Sequence, residues 1–339
     1  MEYLARHNPA VGTAKPDVVA AIRQGETGIL DLKNATLSGA DLKGCDLSFL
    51  DLSGSDLSGA DFSDAKMFKT NLKGANLSGA NLRATELTGA DLSSANLEDA
   101  DLCGSGSGMG CFRNARLFSA NLSSTTLSGA DLEGADLRCC SLKNARLRES
   151  RLVNADFTGA DLRGTDLSLS TVSGALFVNA DLRDSRLRMI KDFNKASWIG
   201  SDIRDINFAG AYRTRRFIVD QNYLKEFRES SRLSSVVYKI WWVTSDCGRS
   251  VTRWSLCILL LILLYAVLYG FVTIDYGDHR TWFSEIYYSI VTITTLGYGD
   301  VQPASVGGQI VAIAEVISGY VMLGGLLSIL SNKMARRAE

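Results

Sequence analysis

From Leu32 to Leu187 every fifth residue is large and apolar, with one exception, and this period constrains the chain more than any other feature. The frame has 32 positions, of which 31 are apolar and only Ser107 is not. Two residues before each the side chain is nearly always small, as at Ala35, Ala40, Cys45, Ser55, Ala60, Ala75 and Ala160. Between the two lies a preference for Asp or Asn, as at Asp41, Asp56, Asn76, Asn121 and Asp161. A period of five matches neither the 3.6 of a helix nor the 2 of a strand. It demands a coil that turns a corner every five residues, with the large and the small side chain both inside. Such a coil buries its core only by stacking on further coils. After Leu187 the frame slips by one residue and continues through Phe193, Trp198, Ile203 and Phe208.

This pattern, A-(D/N)-L-x-x over residues 30–211, resembles the pentapeptide-repeat family. The resemblance implies a right-handed quadrilateral β-solenoid with four pentapeptides per coil. Thirty-six repeats then make about nine coils, a rod of about 40 Å at ~4.8 Å per strand. Residues 1–29 read as an N-terminal capping segment. It holds a short helix from Pro16 to Gln24, started by proline, with Val18, Val19 and Ile22 on one face and Gly25 at its end. The run Cys103-Gly-Ser-Gly-Ser-Gly-Met-Gly-Cys111 looks like a phosphate loop, but both flanks are repeats in an unbroken frame. A nucleotide loop needs a strand before it and a helix after it, so a loosened coil or bulge is expected there instead.

Net charge is −1, which excludes a protein that coats nucleic acid, but the charge is unevenly placed. Residues 31–102 carry 12 acidic and 6 basic side chains, residues 103–211 carry 12 and 14, and residues 212–253 carry 4 and 9. Seven cysteines, an odd number with no C-x-x-C pair and no signal peptide, suit small, reduced, buried side chains in a cytosolic compartment, Cys139 and Cys140 included. Two histidines, His7 and His279, are too few for most histidine metal sites.

The basic end of the repeats leads to a membrane. Residues 254–274 form an uncharged stretch of 21, long enough at ~1.5 Å per residue to cross a ~30 Å hydrocarbon core. Residues 310–332 form a second, with Glu315 as its one ionisable group. Trp282–Thr294, within the loop 275–309, is apolar and aromatic but too short to span, so it reads as a re-entrant helix. Arg249 and Arg253 flank the first span, and Lys333, Arg336 and Arg337 of the short basic tail 333–339 follow the second. The positive-inside rule puts both termini and the solenoid in the cytoplasm of a cell whose plasma membrane the chain crosses twice. Residues 212–253 form a linker in which Val219, Tyr223, Phe227, Leu233, Val237, Ile240 and Trp241 recur at near-helical spacing. Trp241 and Trp242 with Arg249 and Arg253 suit an interfacial helix, and these cations, with those of the tail, are candidate contacts for anionic lipid.

The short helix runs into Thr294-Thr295-Leu296-Gly297-Tyr298-Gly299-Asp300. This resembles the selectivity filter T-V-G-Y-G-D of two-transmembrane potassium channels. Stacked backbone carbonyls replace an ion's hydration shell without a net charge to trap it, and Gly297 and Gly299 allow the dihedrals that turn those carbonyls to one side. By resemblance, K+ is held by the carbonyls of Thr295, Leu296, Gly297 and Tyr298 and by the Thr295 hydroxyl, with four chains completing each ring. Leu296 stands where the family usually has valine, which leaves a non-selective cation channel as the alternative.

Other positions carry over one by one. Tyr287 and Tyr288 occupy the places of a frequent tryptophan pair, Tyr287 either donating to Asp300 or simply packing. Gly319, 20 residues after Gly299, matches the inner-helix hinge, with Gly324 and Gly325 as an alternative hinge or close-packing site. Glu315 either hydrogen-bonds hydroxyls of the short helix, such as those of Thr292 or Thr294, or concentrates cations in a cavity. The chain therefore reads as a homotetrameric, passive potassium channel with no cofactor, no catalytic constellation, no voltage-sensing arginine ladder and no nucleic-acid partner, its solenoid a regulatory or assembly module. A membrane-tethered scaffold or DNA mimic is the reading from another class.

Overall fold

The computed structural model describes residues 15–26, 31–206, 208, 211–277 and 280–338; of Lys15, Asn332, Lys333 and residues 335–338 it describes the backbone alone. His7, His279, residues 1–14 of the capping segment and the side chains of Lys333, Arg336 and Arg337 lie outside that description. The chain divides into two compact units, residues 1–225 and 226–339.

In the first unit the period of five becomes a ladder of parallel bridges between residues 20 apart, from Thr36↔Asp56 to Thr171↔Lys191. Four repeats per coil follow directly from that register. Each side of the coil ends in a tight turn, as where Ala35 N donates to Leu32 O at 3.2 Å. The third residue of that turn, Asn34, is left-handed at φ 56°. The preferred Asp or Asn closes the corner: Asp56 Oδ1, for example, accepts the N–H of Ser58 at 3.2 Å. One coil on, Asn76 Nδ2 donates to the same Asp56 oxygen at 3.0 Å. Inside, small hydroxyls add a second donor to carbonyls that already close a corner turn, as Thr85 Oγ1 does for Phe62 O at 2.9 Å and Thr165 Oγ1 for Leu142 O at 2.8 Å.

The glycine run is not loosened. Gly106 bridges to both Glu86 and Thr126, and Cys111 to both Asp91 and Asp131, so the coil is regular there. Ser107 is fully buried and shares a hydrogen bond with Ser105 (3.3 Å between hydroxyls). Gly110 is the compensation: a Cβ on it would stand 3.0 Å from Phe112 Cε2, so the Phe112 ring uses room that a side chain would have filled. The slip after Leu187 is placed between Thr171↔Lys191 and Leu176↔Ser197, where the register changes from 20 to 21. A 3₁₀ turn over Phe193–Lys195 absorbs the extra residue. Of the adjacent cysteines, Cys140 is buried, and burial raises its thiol pKa, whereas Cys139 is an exposed left-handed corner.

Both open ends of the coil are covered. At the first, α1 (Lys15–Arg23) sets Val18 and Ile22 into the core. At the other, Phe157, Phe177 and Trp198 stack with centroids 4.9 and 4.2 Å apart, and the beginning of α2 (Tyr212–Ser230) lies over them with Thr214 and Ile218 buried. Gln221 Oε1 accepts the N–H of Trp198 at 2.6 Å and Asn222 Oδ1 that of Gly200 at 2.6 Å. Two side-chain amides thus stand in for the next coil and satisfy N–H groups that would otherwise be orphaned.

The second unit is helical. The end of α2 meets α3 (Arg232–Ser245) through an edge-to-face pair, Phe227 and Trp241, with centroids 6.4 Å apart. Ser231 caps α3 by accepting Ser234 N at 3.0 Å. Three left-handed residues, Asp246, Cys247 and Gly248, then turn the chain into α4 (Val251–Tyr269), capped by Ser250. That cap puts Arg253 inside α4 instead of before it. The helix ends at Tyr269, short of the expected Ile274, because β1 (Ile274–Asp275) pairs antiparallel with β2 (Gln302–Pro303). Between those strands lies α5 (Ser284–Ile293), and α6 (Val306–Ala338) follows. Two stretches, Val251–Tyr269 and Val306–Ser331, are long and apolar enough to cross a membrane.

Candidate pore and filter segment

The 10-residue α5 packs on both α4 and α6 and delivers the segment that follows it. Its end is a Schellman motif: Leu296 N donates to Val291 O at 3.1 Å and Thr295 N to Thr292 O at 3.0 Å. Thr295 takes the left-handed place at φ 57°, where a β-branched residue costs about 1–2 kcal/mol. Gly297 and Gly299 are left-handed as well, at φ 51° and 78°, while Leu296 and Tyr298 are not. Nothing lies within 4 Å of a Cβ built on either glycine, so it is dihedral freedom and not space that glycine supplies here. Leu296 and Tyr298 are 58% and 68% exposed in the single chain.

Behind this segment, Tyr287 Oη donates to Asp300 Oδ2 at 2.7 Å, tying α5 to the segment's far end. Tyr288 is buried, its ring 4.7 Å from that of Tyr269. Thr294 Oγ1 turns back to Ile290 O at 2.6 Å, within its own helix. Glu315 is fully buried and meets a hydroxyl of α5 as expected, though that of Ser289 and not of Thr292 or Thr294. Tyr269 Oη donates to its Oε2 at 2.5 Å, and Ser289 Oγ bonds its Oε1. Its burial also removes it from any cation-concentrating wall of the single chain.

The three glycines of α6 singled out as hinge or packing candidates differ sharply. A Cβ on Gly319 would stand 3.1 Å from Ile293 C and 3.2 Å from Ile293 Cα, and would overlap the Ile293 carbonyl oxygen. Gly319 is thus a close-packing point between α6 and the end of α5, in a helix that runs unbroken through it. On Gly325 a Cβ would lie 2.8 Å from Trp254 Cε2, and the Trp254 indole N–H donates to Met322 O at 2.7 Å. Around Gly324 there is open space. Tyr265 and Ser318 add a hydroxyl pair at 2.9 Å between α4 and α6. Arg253 lies over the Trp242 ring at 6.0 Å, and Arg249 is exposed in the turn before α4.

Sequence reasoning missed Tyr269, Ser289 and Trp254 as site partners, and Gln221 and Asn222 as the solenoid's cap. A tyrosine at the end of a long apolar stretch and a serine in a short helix between two such stretches were the available signal for the first two. For the amides there was none, since only the geometry of the last coil shows which N–H groups need acceptors.

Comparison with known proteins agrees with both halves. A family model described as ion channel matches residues 257–336. The pentapeptide-repeat model matches in eight copies over 31–67, 70–105, 115–152 and 150–188. A calcium-gated potassium channel of Thermoplasma volcanium is 38% identical over 58 residues, 17% of this chain and 17% of that one. Two-pore potassium channel 1 of Arabidopsis thaliana is 31% identical over 97 residues, 28% of this chain and 27% of that one. The chain therefore spans well under a third of either relative. Among solved structures, a pentapeptide repeat protein from the Arabidopsis thaliana thylakoid lumen is 36% identical, with 36% of this chain and 71% of that one covered and a TM-score of 0.24.

Proposed function

We propose that this chain, which joins pentapeptide repeats to an ion-channel domain of the potassium-channel kind, assembles as a homotetramer and conducts K+ passively through residues 295–299. It is a membrane channel and not an enzyme. The observation that carries the filter assignment is the alternation of hand, left-handed at Thr295, Gly297 and Gly299 and not at Leu296 and Tyr298. A strand points successive carbonyls to opposite sides, whereas such an alternation turns them to one side. Carbonyls of Thr295, Leu296, Gly297 and Tyr298, with the Thr295 hydroxyl, then replace the water around K+. One chain offers only a quarter of each ring, which accords with the exposure of Leu296 and Tyr298.

In this assignment α4 and α6 span the plasma membrane, α5 is the re-entrant pore helix, and the Tyr287–Asp300 bond braces the filter's outer mouth. Cations at the inner ends put both termini in the cytoplasm, where Arg249 and Arg253 meet anionic headgroups. The solenoid, about nine right-handed coils, serves regulation or assembly. K+ is the permeant ion, and no cofactor takes part.

The test is flux from liposomes holding the purified chain, driven by a K+ gradient, with and without barium and beside Gly297→Asp. Barium-sensitive K+ flux that disappears in Gly297→Asp is expected. Reversal potentials in mixed Na+ and K+ then measure selectivity; equal permeability would replace the K+ assignment by a non-selective cation channel.

A further inference from the structure

The Glu315 carboxylate joins three helices at one buried point. Tyr269 is the last residue of α4, Ser289 lies in the middle of α5 and Glu315 in the first third of α6, and the three are 1%, 0% and 0% exposed. Each carboxylate oxygen has its own partner, Tyr269 Oη on Oε2 and Ser289 Oγ on Oε1. Ser289 Oγ also lies 3.0 Å from Ile262 O of α4, so the knot touches the outer helix twice.

One turn further along, the same two helices meet again. Gly319 abuts the Ile293 backbone, and the spacing from Glu315 to Gly319 equals that from Ser289 to Ile293, four residues on each helix. Residues four apart lie on one face of a helix. The two helices are thus registered by a polar grip and a steric stop, ~6 Å apart along the axis. A steric stop alone sets how closely the helices approach. The polar grip resists sliding and rotation, because either motion separates buried hydroxyls from their acceptor. Ile293 is two residues before Thr295, where the left-handed alternation begins.

From this geometry we infer that Glu315 is a positioning residue for ion selection: through Ser289 and Tyr269 it sets the axial height and rotation of α5, and so the spacing of the carbonyl rings that α5 carries. The inference rests on the channel assignment above. Its effect is on discrimination between K+ and Na+ and not merely on assembly. Glutamine preserves the arrangement, since its oxygen accepts from one hydroxyl while its amide donates to the other. Leucine has the volume and neither bond.

The full chain in planar bilayers is the system, with wild type measured first. No K+ current in wild type would overturn the channel assignment itself, before any variant is read. With wild type K+-selective, the permeability ratio of K+ to Na+ is measured for tetramers that survive size exclusion. Glu315→Gln is expected within twofold of wild type and Glu315→Leu at least tenfold lower. A tetrameric Glu315→Leu with an unchanged ratio would overturn the inference, as would a Glu315→Gln that loses selectivity as fully as Glu315→Leu. Should Glu315→Leu fail to assemble, Tyr269→Phe and Ser289→Ala decide. Each removes one hydroxyl, and each is expected to lower the ratio about threefold; unchanged ratios in both refute the role.

Discussion

Replacing Gly319 by alanine separates two roles that one glycine can have in an inner helix. If Gly319 serves only as a bending point, an added methyl stiffens α6, changes how often the pore opens, and leaves the filter alone. The packing says otherwise. The added Cβ would meet Ile293 C at 3.1 Å and Ile293 Cα at 3.2 Å and would overlap the carbonyl oxygen, all of them backbone atoms that cannot swing aside. Relief requires α6 and the end of α5 to part by about 1 Å, and overpacking of this kind costs about 1–3 kcal/mol in each subunit. Alanine's better helix propensity returns at most about 1 kcal/mol. Gly324→Ala is the matched control, since it stiffens the same helix where nothing lies within 4 Å. Two measurements are needed on each variant: the temperature at which the proposed tetramer dissociates in detergent, and the K+/Na+ reversal potential. Gly319→Ala is expected to dissociate at lower temperature and to discriminate less well, with Gly324→Ala equal to or more stable than wild type. A Gly319→Ala channel of wild-type stability and selectivity, altered only in open probability, would refute the packing argument.

Three further outcomes follow from the solenoid. Gly174, at φ 73°, lies against Asn154 of the preceding coil, and a Cβ there would be 3.2 Å from Asn154 Cγ, whereas Gly79, at φ 62°, has open space. Gly174→Ala should therefore melt the solenoid at lower temperature than Gly79→Ala, by an extra ~1–2 kcal/mol, and Asn154→Gly in the same chain should remove the difference. Gln221→Leu combined with Asn222→Leu leaves the N–H groups of Trp198 and Gly200 without acceptors, at a cost of ~1–3 kcal/mol each; hydrogen exchange at Trp198 and Gly200 should accelerate while the first coils are unchanged. The Arg204 guanidinium holds the Asp202 carboxyl at a pKa of about 2, below its unfolded value. A lowered carboxyl pKa contributes stability that is complete above ~pH 4 and is lost as pH falls through about 2. Solvent screening limits that contribution to about 1 kcal/mol, so acid melting of wild type should steepen across that window and Asp202→Asn should flatten it.

Much of the architecture was legible because it rests on short-range rules. A five-residue period has one solution in which every large side chain is inside, and the structure repeats it every 20 residues with parallel bridges. Two long apolar stretches and the segment Thr294–Asp300 were equally plain, since hydrophobic length and glycine placement are properties of the chain itself. The glycine run at 103–111 misled because composition cannot show that the ladder of its neighbours holds it in place. Backbone bonds to Thr85 and Leu87 on one side and to Thr126 on the other outweigh the entropy that a glycine-rich segment would otherwise keep.

Which side chains meet across helices was decided by tertiary structure alone. Glu315 was visible as a costly group, but its partners Ser289 and Tyr269 depend on the axial register of three helices, and a shift of one turn would have offered it others. Gly319 was visible as a glycine at a meaningful distance from the proposed filter, while the Ile293 backbone against it was not. The left-handed Thr295 belongs to the same class, because threonine disfavours that conformation and only the closing bonds to Val291 and Thr292 hold it there. Sequence determines what each segment must bury and which corners it can turn. Contacts between segments depend on how those buried surfaces dock, and a single chain's local preferences contain no such term.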